Sequence, residues 1–265
     1  MPELPEVEAT RLRIANEFAS RVAVRFWFTA RDKSNFSLMN TNALRGARLE
    51  EVARHGKLII LNFGRIGRLA ISCGMSGRLV SRIPNLKHDR FAIEFQGGSS
   101  IVFNDFRRFG RWHWLSGDSQ ELPTPLGPDA LTVNFAEQCL ERGSSRSIKS
   151  ILLDQEIVAG LGNIYAAEAL FHARILPTRP VSSLTRAERV RIVKSVKSVL
   201  SAAVARGGST LDDYRGTEGE AGDYDRLFAV YGREGQPCPG CDCDTGVSRI
   251  RDAGRSTYFC TRKQV

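Results

Sequence analysis

The chain has 265 residues and a formal net charge of +9, with 38 Lys and Arg against 29 Asp and Glu. Hydrophobic residues make up 42 %, enough for a substantial core, and a prior of about 150 residues per domain suggests two domains with a small appendage. No apolar run reaches the ~18 residues of a bilayer span, and the opening MPELPEVEAT has acids where a signal peptide has bases, so the expectation is a cytoplasmic protein without membrane segments.

Of the basic residues 31 are Arg, whose planar fork pairs with phosphate through two hydrogen bonds. The excess charge points to a polyanionic partner, although codon bias alone can enrich Arg. Residues 5–20 read as a helix, with Val7, Ile14 and Phe18 near one face. Short runs of strand character follow: Val22–Phe28, Lys57–Phe63, Leu69–Cys73, Phe91–Phe95, Ser100–Phe103 and Arg111–Leu115, separated by glycine turns. Many short strands at this spacing indicate an antiparallel sandwich or barrel. Leu122–Pro128 is proline-rich and reads as a linker. Beyond it Asn134–Glu141, Ile148–Leu153 and Asn163–Phe171 have helical pattern, and Thr185 to about Arg206 is a long helix opened by the capping box Thr185-x-x-Glu188. Residues 209–226 show no period and read as a loop. The remainder is a small cysteine-bearing hairpin.

Several groups carry chemistry. If the initiator methionine is removed, Pro2 becomes a secondary amine, and an α-amino group titrates near ~8, leaving a nucleophilic fraction at neutral pH. Glu3 and Glu6 lie beside it at the positive end of the first helix, where a carboxylate can move protons. Alone, Pro2-Glu3-Leu4-Pro5-Glu6 is equally an ordinary helix start. Gly56-Lys57 precedes a strand, where a lysine can grip phosphate or be a plain strand-end charge. Asn104–Gly110 puts an aromatic ring and two guanidinium groups on a loop, a composition that can fill the gap left by a flipped nucleotide or simply be an arginine-rich hairpin. Gly160-Leu-Gly-Asn163 places glycines and an amide just before a helix, as an anion site or a tight turn. Cys238-Pro-Gly-Cys241 is a zinc-knuckle half-site, but Lys263 stands where a second CxxC beginning at Cys260 would have its last cysteine, leaving Cys243 to supply a fourth ligand.

In order and spacing these pieces resemble the formamidopyrimidine-DNA glycosylase and endonuclease VIII family. The matching stretches are Pro2–Glu8, Gly56-Lys57, Gly74-Met-Ser-Gly77, Asn104–Gly110, Leu153-Asp-Gln155, Gly160–Tyr165, Val230–Gly235 and Gly254-Arg-Ser-Thr257. The resemblance implies a multi-domain α+β fold. An N-terminal helix would precede a catalytic β-sandwich over residues 1–121, with a linker at 122–128. A helix–two-turns–helix domain would fill 129–228, including a lesion-capping loop at 209–226, and a zinc-finger-like β-hairpin 229–265, with DNA in the cleft between. It implies a monomeric enzyme of base excision repair acting on damaged double-stranded DNA: a bifunctional glycosylase and AP lyase that forms a Schiff base on its N-terminal proline, followed by β,δ-elimination. Pro2 would be the nucleophile, Glu3 the acid that protonates the sugar ring oxygen, and Lys57, Asn163 and Arg255 phosphate ligands. Met75, Arg107 and Phe109 would fill the void, Arg107 facing the orphaned base, and Glu6, His88 and Tyr165 would join the DNA contacts. Zinc would be a structural cofactor held by Cys238, Cys241, Cys243 and Cys260. Phe106 replaces the usual loop proline, and Ser72-Cys73 replaces a His-Leu pair, which removes one phosphate-side contact. The long segment before the finger favours oxidised purines (8-oxoguanine, formamidopyrimidines); the alternatives are oxidised pyrimidines or a damage binder without catalysis.

Overall fold

The architecture is taken from a computed structural model, which describes residues 2–29, 31–32, 43–84, 87–115, 117, 121–132, 144–209, 222–252 and 254–265. The expected helix at Asn134–Glu141 and most of the 209–226 loop lie outside the described residues; of the latter, Tyr224–Leu227 forms a short 3-10 helix. The chain divides into two compact units, Met1–Pro125 with Ser209–Gly222, and Leu126–Gly208 with Asp223–Val265.

The first unit begins with α1 (Leu4–Phe18), whose apolar residues Leu4, Val7, Ile14 and Phe18 are buried. Eight strands follow: β1 (Ala23–Phe28), β2 (Glu51–His55), β3 (Leu58–Asn62), β4 (Arg68–Ser72), β5 (Arg78–Ser81), β6 (Asp89–Phe95), β7 (Ser100–Asn104) and β8 (Arg111–Leu115). They form two antiparallel four-stranded sheets, in orders β1-β6-β7-β5 and β2-β3-β4-β8. The inner faces meet in one core, where the Phe91 ring of β6 lies 5.3 Å from Phe103 of β7, and both lie edge-on to Trp112 of β8 at 5.2 and 5.3 Å. This is the sandwich alternative of the two open in the sequence. Two of its strands, β2 and β5, escaped the sequence reading because Glu51-Val-Ala-Arg-His and Arg78-Leu-Val-Ser are short and half polar.

In the second unit α2 (Ile148–Leu152) and α3 (Asn163–Ala173) precede α4 (Arg186–Ala205). Thr185 and Glu188 make the expected reciprocal cap on α4, with Glu188 Oε2 accepting from Thr185 N at 2.8 Å. The hairpin β9 (Ser248–Asp252) and β10 (Arg255–Phe259) packs on α3 through a cluster that includes Ala167, Phe171, Val230 and Val247. No helix among the described residues is long and apolar enough to cross a membrane.

Phe103 touches both sheets, so its truncation leaves a cavity that neither can fill. Phe103→Ala is expected to lower unfolding free energy by about 3–5 kcal/mol in urea titration; a loss below about 1 kcal/mol would contradict the packing described.

Candidate functional site

In the first unit the chemistry-bearing residues gather in two places. The first is the start of α1. Pro2, Glu3 and Glu6 are all buried. Glu3 occupies the N-cap and forms a reciprocal capping box with Glu6, whose Oε2 accepts from Glu3 N at 2.8 Å. Glu6 Oε1 accepts from Ser209 N at 2.8 Å and from Ser209 Oγ at 3.1 Å. Both oxygens of the Glu6 carboxylate are thus bonded to protein donors, which fixes the first turn of α1.

Lys57 sits in the β2–β3 turn, made possible by Gly56 at φ +55°. The turn is tied to α1 through one carboxylate. Glu8 Oε2 accepts from Arg54 Nε at 2.7 Å, and Arg54 Nη1 donates to Gly56 O at 3.0 Å. Arg11 also donates to Glu8, at 2.7 Å, and to Val52 O at 3.2 Å. Burial raises the Glu8 pKa, but the hydrogen bonds and charges of Arg11 and Arg54 outweigh it and hold the carboxyl below its usual value.

The second place is a pair of loops, 74–77 and 105–110. Asp105 is buried and joins them: Oδ1 accepts from Ser76 Oγ at 2.5 Å and Oδ2 from Gly110 N at 2.7 Å. Ser76 Oγ in turn accepts from Arg107 N at 3.2 Å. Gly74 lies at φ +60°, and a Cβ there would be 2.6 Å from the Phe109 carbonyl, so only glycine lets the two backbones approach this closely. Arg90 ion-pairs with buried Asp32, lies 3.7 Å from Asp105 and stacks over Trp112 at 4.8 Å. Met75, Arg107 and Phe109 stand exposed on this base, with the Arg107 guanidinium 5.3 Å over the Phe109 ring. The latch supplies the constraint that the loop lacks with Phe106 at the proline position. Cys73, behind the loop, is fully buried, and burial pushes its thiol up to about 12, so it is inert.

In the second unit Gln155 shapes the glycine turn before α3: its amide donates to Leu161 O at 2.8 Å and accepts from Gly160 N at 3.1 Å. Asn163, the first residue of α3, donates from Nδ2 to Ser256 O at 2.9 Å, which sets it beside exposed Arg255 on β10. Tyr165 is buried, its ring 5.8 Å from that of Tyr224. His88 is exposed and its carbonyl accepts from Asp105 N at 3.0 Å.

Two residues of this unit were missed by the sequence reading. Lys149 is buried and donates to Ser256 O at 3.1 Å and to Thr257 Oγ1. Glu168 is buried and accepts from the N–H groups of Ala229, Val230 and Tyr231 at 2.7–3.0 Å. Together they pin the finger to the helices. The only sequence signal for either was a charged residue inside an apolar helical stretch.

The Sγ atoms of Cys238, Cys241, Cys243 and Cys260 lie within 4.8 Å of one another. The contacts of Cys260 with Cys238, Cys241 and Cys243 are 3.3, 3.7 and 3.6 Å. Tetrahedral thiolates at the Zn–S distance of about 2.3 Å stand about 3.8 Å apart, so these residues fit a tetrathiolate metal centre. The four thiols share their hydrogen bonds: burial and neighbouring thiols push Cys238 and Cys243 up, while hydrogen bonds from Cys238 and the backbone N–H groups of Lys263 and Arg262 outweigh burial and bring Cys260 down. Cys243 is the fourth sulfur of the cluster; the nearby Lys263 ammonium donates to Pro239 O at 2.7 Å and lies 4.8 Å over the Phe171 ring.

The Glu8 strap carries a pH signature. A carboxyl held below its usual pKa stabilises the fold above pH ~4.5, and that contribution fades as pH falls through the folded value. Glu8→Gln is expected to cost about 1–3 kcal/mol at neutral pH, measured by chemical denaturation at pH 7, and to flatten the stability loss between pH 5 and 3. An unchanged acid limb would show that the strap does not link α1 to the Lys57 turn.

The chain matches the model of the formamidopyrimidine-DNA glycosylase N-terminal domain over residues 1–112 and that of the formamidopyrimidine-DNA glycosylase H2TH domain over 126–215. It is 39 % identical over 282 residues to a formamidopyrimidine-DNA glycosylase of Ruegeria pomeroyi, covering 100 % of both chains. Among solved structures it is similar to the MutM (Fpg) protein of Thermus thermophilus, with TM-score 0.86, 40 % identity and coverage of 99 % of this chain and 98 % of that one. The Lactococcus lactis Fpg in complex with DNA containing an abasic site gives TM-score 0.88 at 30 % identity, covering 100 % of each chain. With these matches spanning its whole length, the chain belongs to the formamidopyrimidine-DNA glycosylase family.

Proposed function

We propose that the protein is a bifunctional DNA glycosylase and AP lyase that removes oxidised purines from duplex DNA through its N-terminal proline. The observation that carries this reading is the start of α1, where Pro2 and Glu3 are buried and held by the Glu3–Glu6 capping box, in a chain of this family. With the initiator methionine removed, the Pro2 nitrogen attacks C1′ of the damaged nucleotide. The C1′–base bond breaks, and the base leaves with the bonding pair and takes up a proton. Glu3 donates a proton to the ring oxygen O4′ as the C1′–O4′ bond opens, which leaves an iminium between C1′ and Pro2. The iminium acidifies C2′–H, and loss of that proton expels the 3′ phosphate; a second elimination expels the 5′ phosphate.

Lys57, Asn163 and Arg255 are assigned to the phosphates around the flipped nucleotide, the exposed Arg255 as a bidentate fork. Arg107 faces the orphaned base, and Met75 and Phe109 fill the space the nucleotide leaves. The preference for 8-oxoguanine and formamidopyrimidines is supported by the long segment that begins at Ser209, which Glu6 fastens to the first turn of α1. The four-cysteine cluster is assigned to structural zinc, with damaged DNA as the partner of a monomer.

Borohydride trapping on 8-oxoguanine and thymine glycol duplexes tests the chemistry. The wild-type protein is expected to form a covalent complex, preferentially on the purine lesion. Pro2→Gly should weaken trapping, and Glu3→Gln should abolish excision while leaving binding intact. Absence of any trapped species with wild type would sink the reading, and equal turnover on both lesions would remove the purine preference.

Metal analysis tests the finger separately. Purified protein is expected to carry one zinc per chain, and Cys243→Ser to lower that content and speed zinc transfer to a chromogenic chelator. Full retention of zinc by Cys243→Ser would exclude Cys243 as the fourth ligand.

A further inference from the structure

The loop that carries Arg107 and Phe109 has two further large exposed side chains, Phe106 and Arg108, and Phe106 is the apolar one that the proposed chemistry leaves unused. Phe106 is 50 % exposed, close to the 52 % of Phe109 and above the 40 % of Met75. An aromatic ring in water is ordinary when isolated. Here two exposed rings, Phe106 and Phe109, stand with Met75 on one pair of loops, and the backbone beneath is latched from both sides by Asp105 and Ser76. Phe106 is set apart from the Arg107–Phe109 stack by its own partner. The exposed His88 ring meets it edge to face, with centroids 6.3 Å apart and planes at 67°. The His88 backbone is fixed in turn, because its carbonyl accepts from Asp105 N at 3.0 Å. The next residue, Asp89, is buried and accepts from Asn104 Nδ2 at 2.8 Å. The Phe106 ring is thus presented from a rigid strand end, with one edge supported and the remainder facing solvent.

We infer that Phe106, backed by His88, is a second DNA wedge. Its ring packs on the nucleotide next to the orphaned base, while Arg107 and Phe109 occupy the gap itself. The inference rests on the reading of this loop as the void-filling element. A rigid, supported aromatic loses little entropy on stacking, and a base face offers it an apolar partner whatever the sequence. The ligand class is therefore a stacked nucleobase or its deoxyribose on the undamaged strand, and the contribution is to affinity and local unstacking rather than to bond breaking. Phe106 is a positioning residue in this sense.

The test uses the full-length protein and a duplex holding a tetrahydrofuran abasic analogue, with 2-aminopurine beside the base opposite the analogue. Wild type is expected to bind and to change the 2-aminopurine emission. Phe106→Ala should raise Kd about tenfold, with Phe106→Tyr within about threefold of wild type, and only the alanine variant should lose most of the emission change. Melting temperature should be the same for all three, since the ring is exposed. If Phe106→Ala matches wild type in Kd and emission while wild type binds normally, this inference is overturned and the proposed function stands. If wild type itself neither binds nor perturbs the probe, the proposed function fails instead.

Discussion

The Glu6 carboxylate is the contact on which the start of α1 depends. The first turn of any helix leaves N–H groups without intrahelical acceptors, and such ends fray unless something occupies them. Glu6 takes the Glu3 N–H with one oxygen and the Ser209 N–H and hydroxyl with the other. One buried anion thereby fixes the residue pair Pro2-Glu3 and fastens to it a segment more than two hundred residues away in sequence. A carboxylate satisfied by this many donors stays in place, whereas one left unsatisfied at that depth would cost several kcal/mol.

The same logic, a buried or half-buried acid joining segments distant in sequence, recurs in each unit. Glu8 joins α1 to the β2–β3 turn, Asp105 joins the two exposed loops, and Glu168 gathers three consecutive N–H groups ahead of the finger. These acids serve the architecture, while Arg107 and Arg255 face solvent. For a polyanion-binding protein this division is favourable, because surface acids would repel the ligand.

How far the sequence could be read followed from what each feature depends on. Local patterns were legible: the Thr185–Glu188 cap, the apolar stripe of α1, and the short apolar runs of β3, β4, β6 and β7 all reside within a few neighbouring residues. Strands β2 and β5 were not, since Glu51–His55 and Arg78–Ser81 carry too few apolar side chains to show a period and owe their conformation to partners across the sheet. The burial of Lys149 and Glu168 was equally hidden, because the groups that satisfy them lie 61 to 108 positions away. Pro2, Lys57, Asn163 and the Arg107 loop stood out only as a set; each alone had an ordinary explanation.

The fourth cysteine at position 243 has an effect on how the finger bears load. With the ligand set closed there, Cys260 is the last residue that the metal would hold, and residues 261–265 are anchored by ordinary polar contacts. Lys263 reaches back to Pro239 O, Gln264 donates to Ile175 O, and the Val265 carbonyl accepts from Leu176 N and Arg179. The segment is therefore a buckle with two clasps that meet at Cys260, one of clustered sulfur and one of hydrogen bonds onto the helices, since Lys263 N donates to Cys260 Sγ and Cys260 N donates to Gln264 Oε1 at 2.8 Å. The C-terminal residues thus tie the cysteine cluster to the helical domain, Gln264 bridging the Cys260 N–H and the Ile175 carbonyl through one side chain.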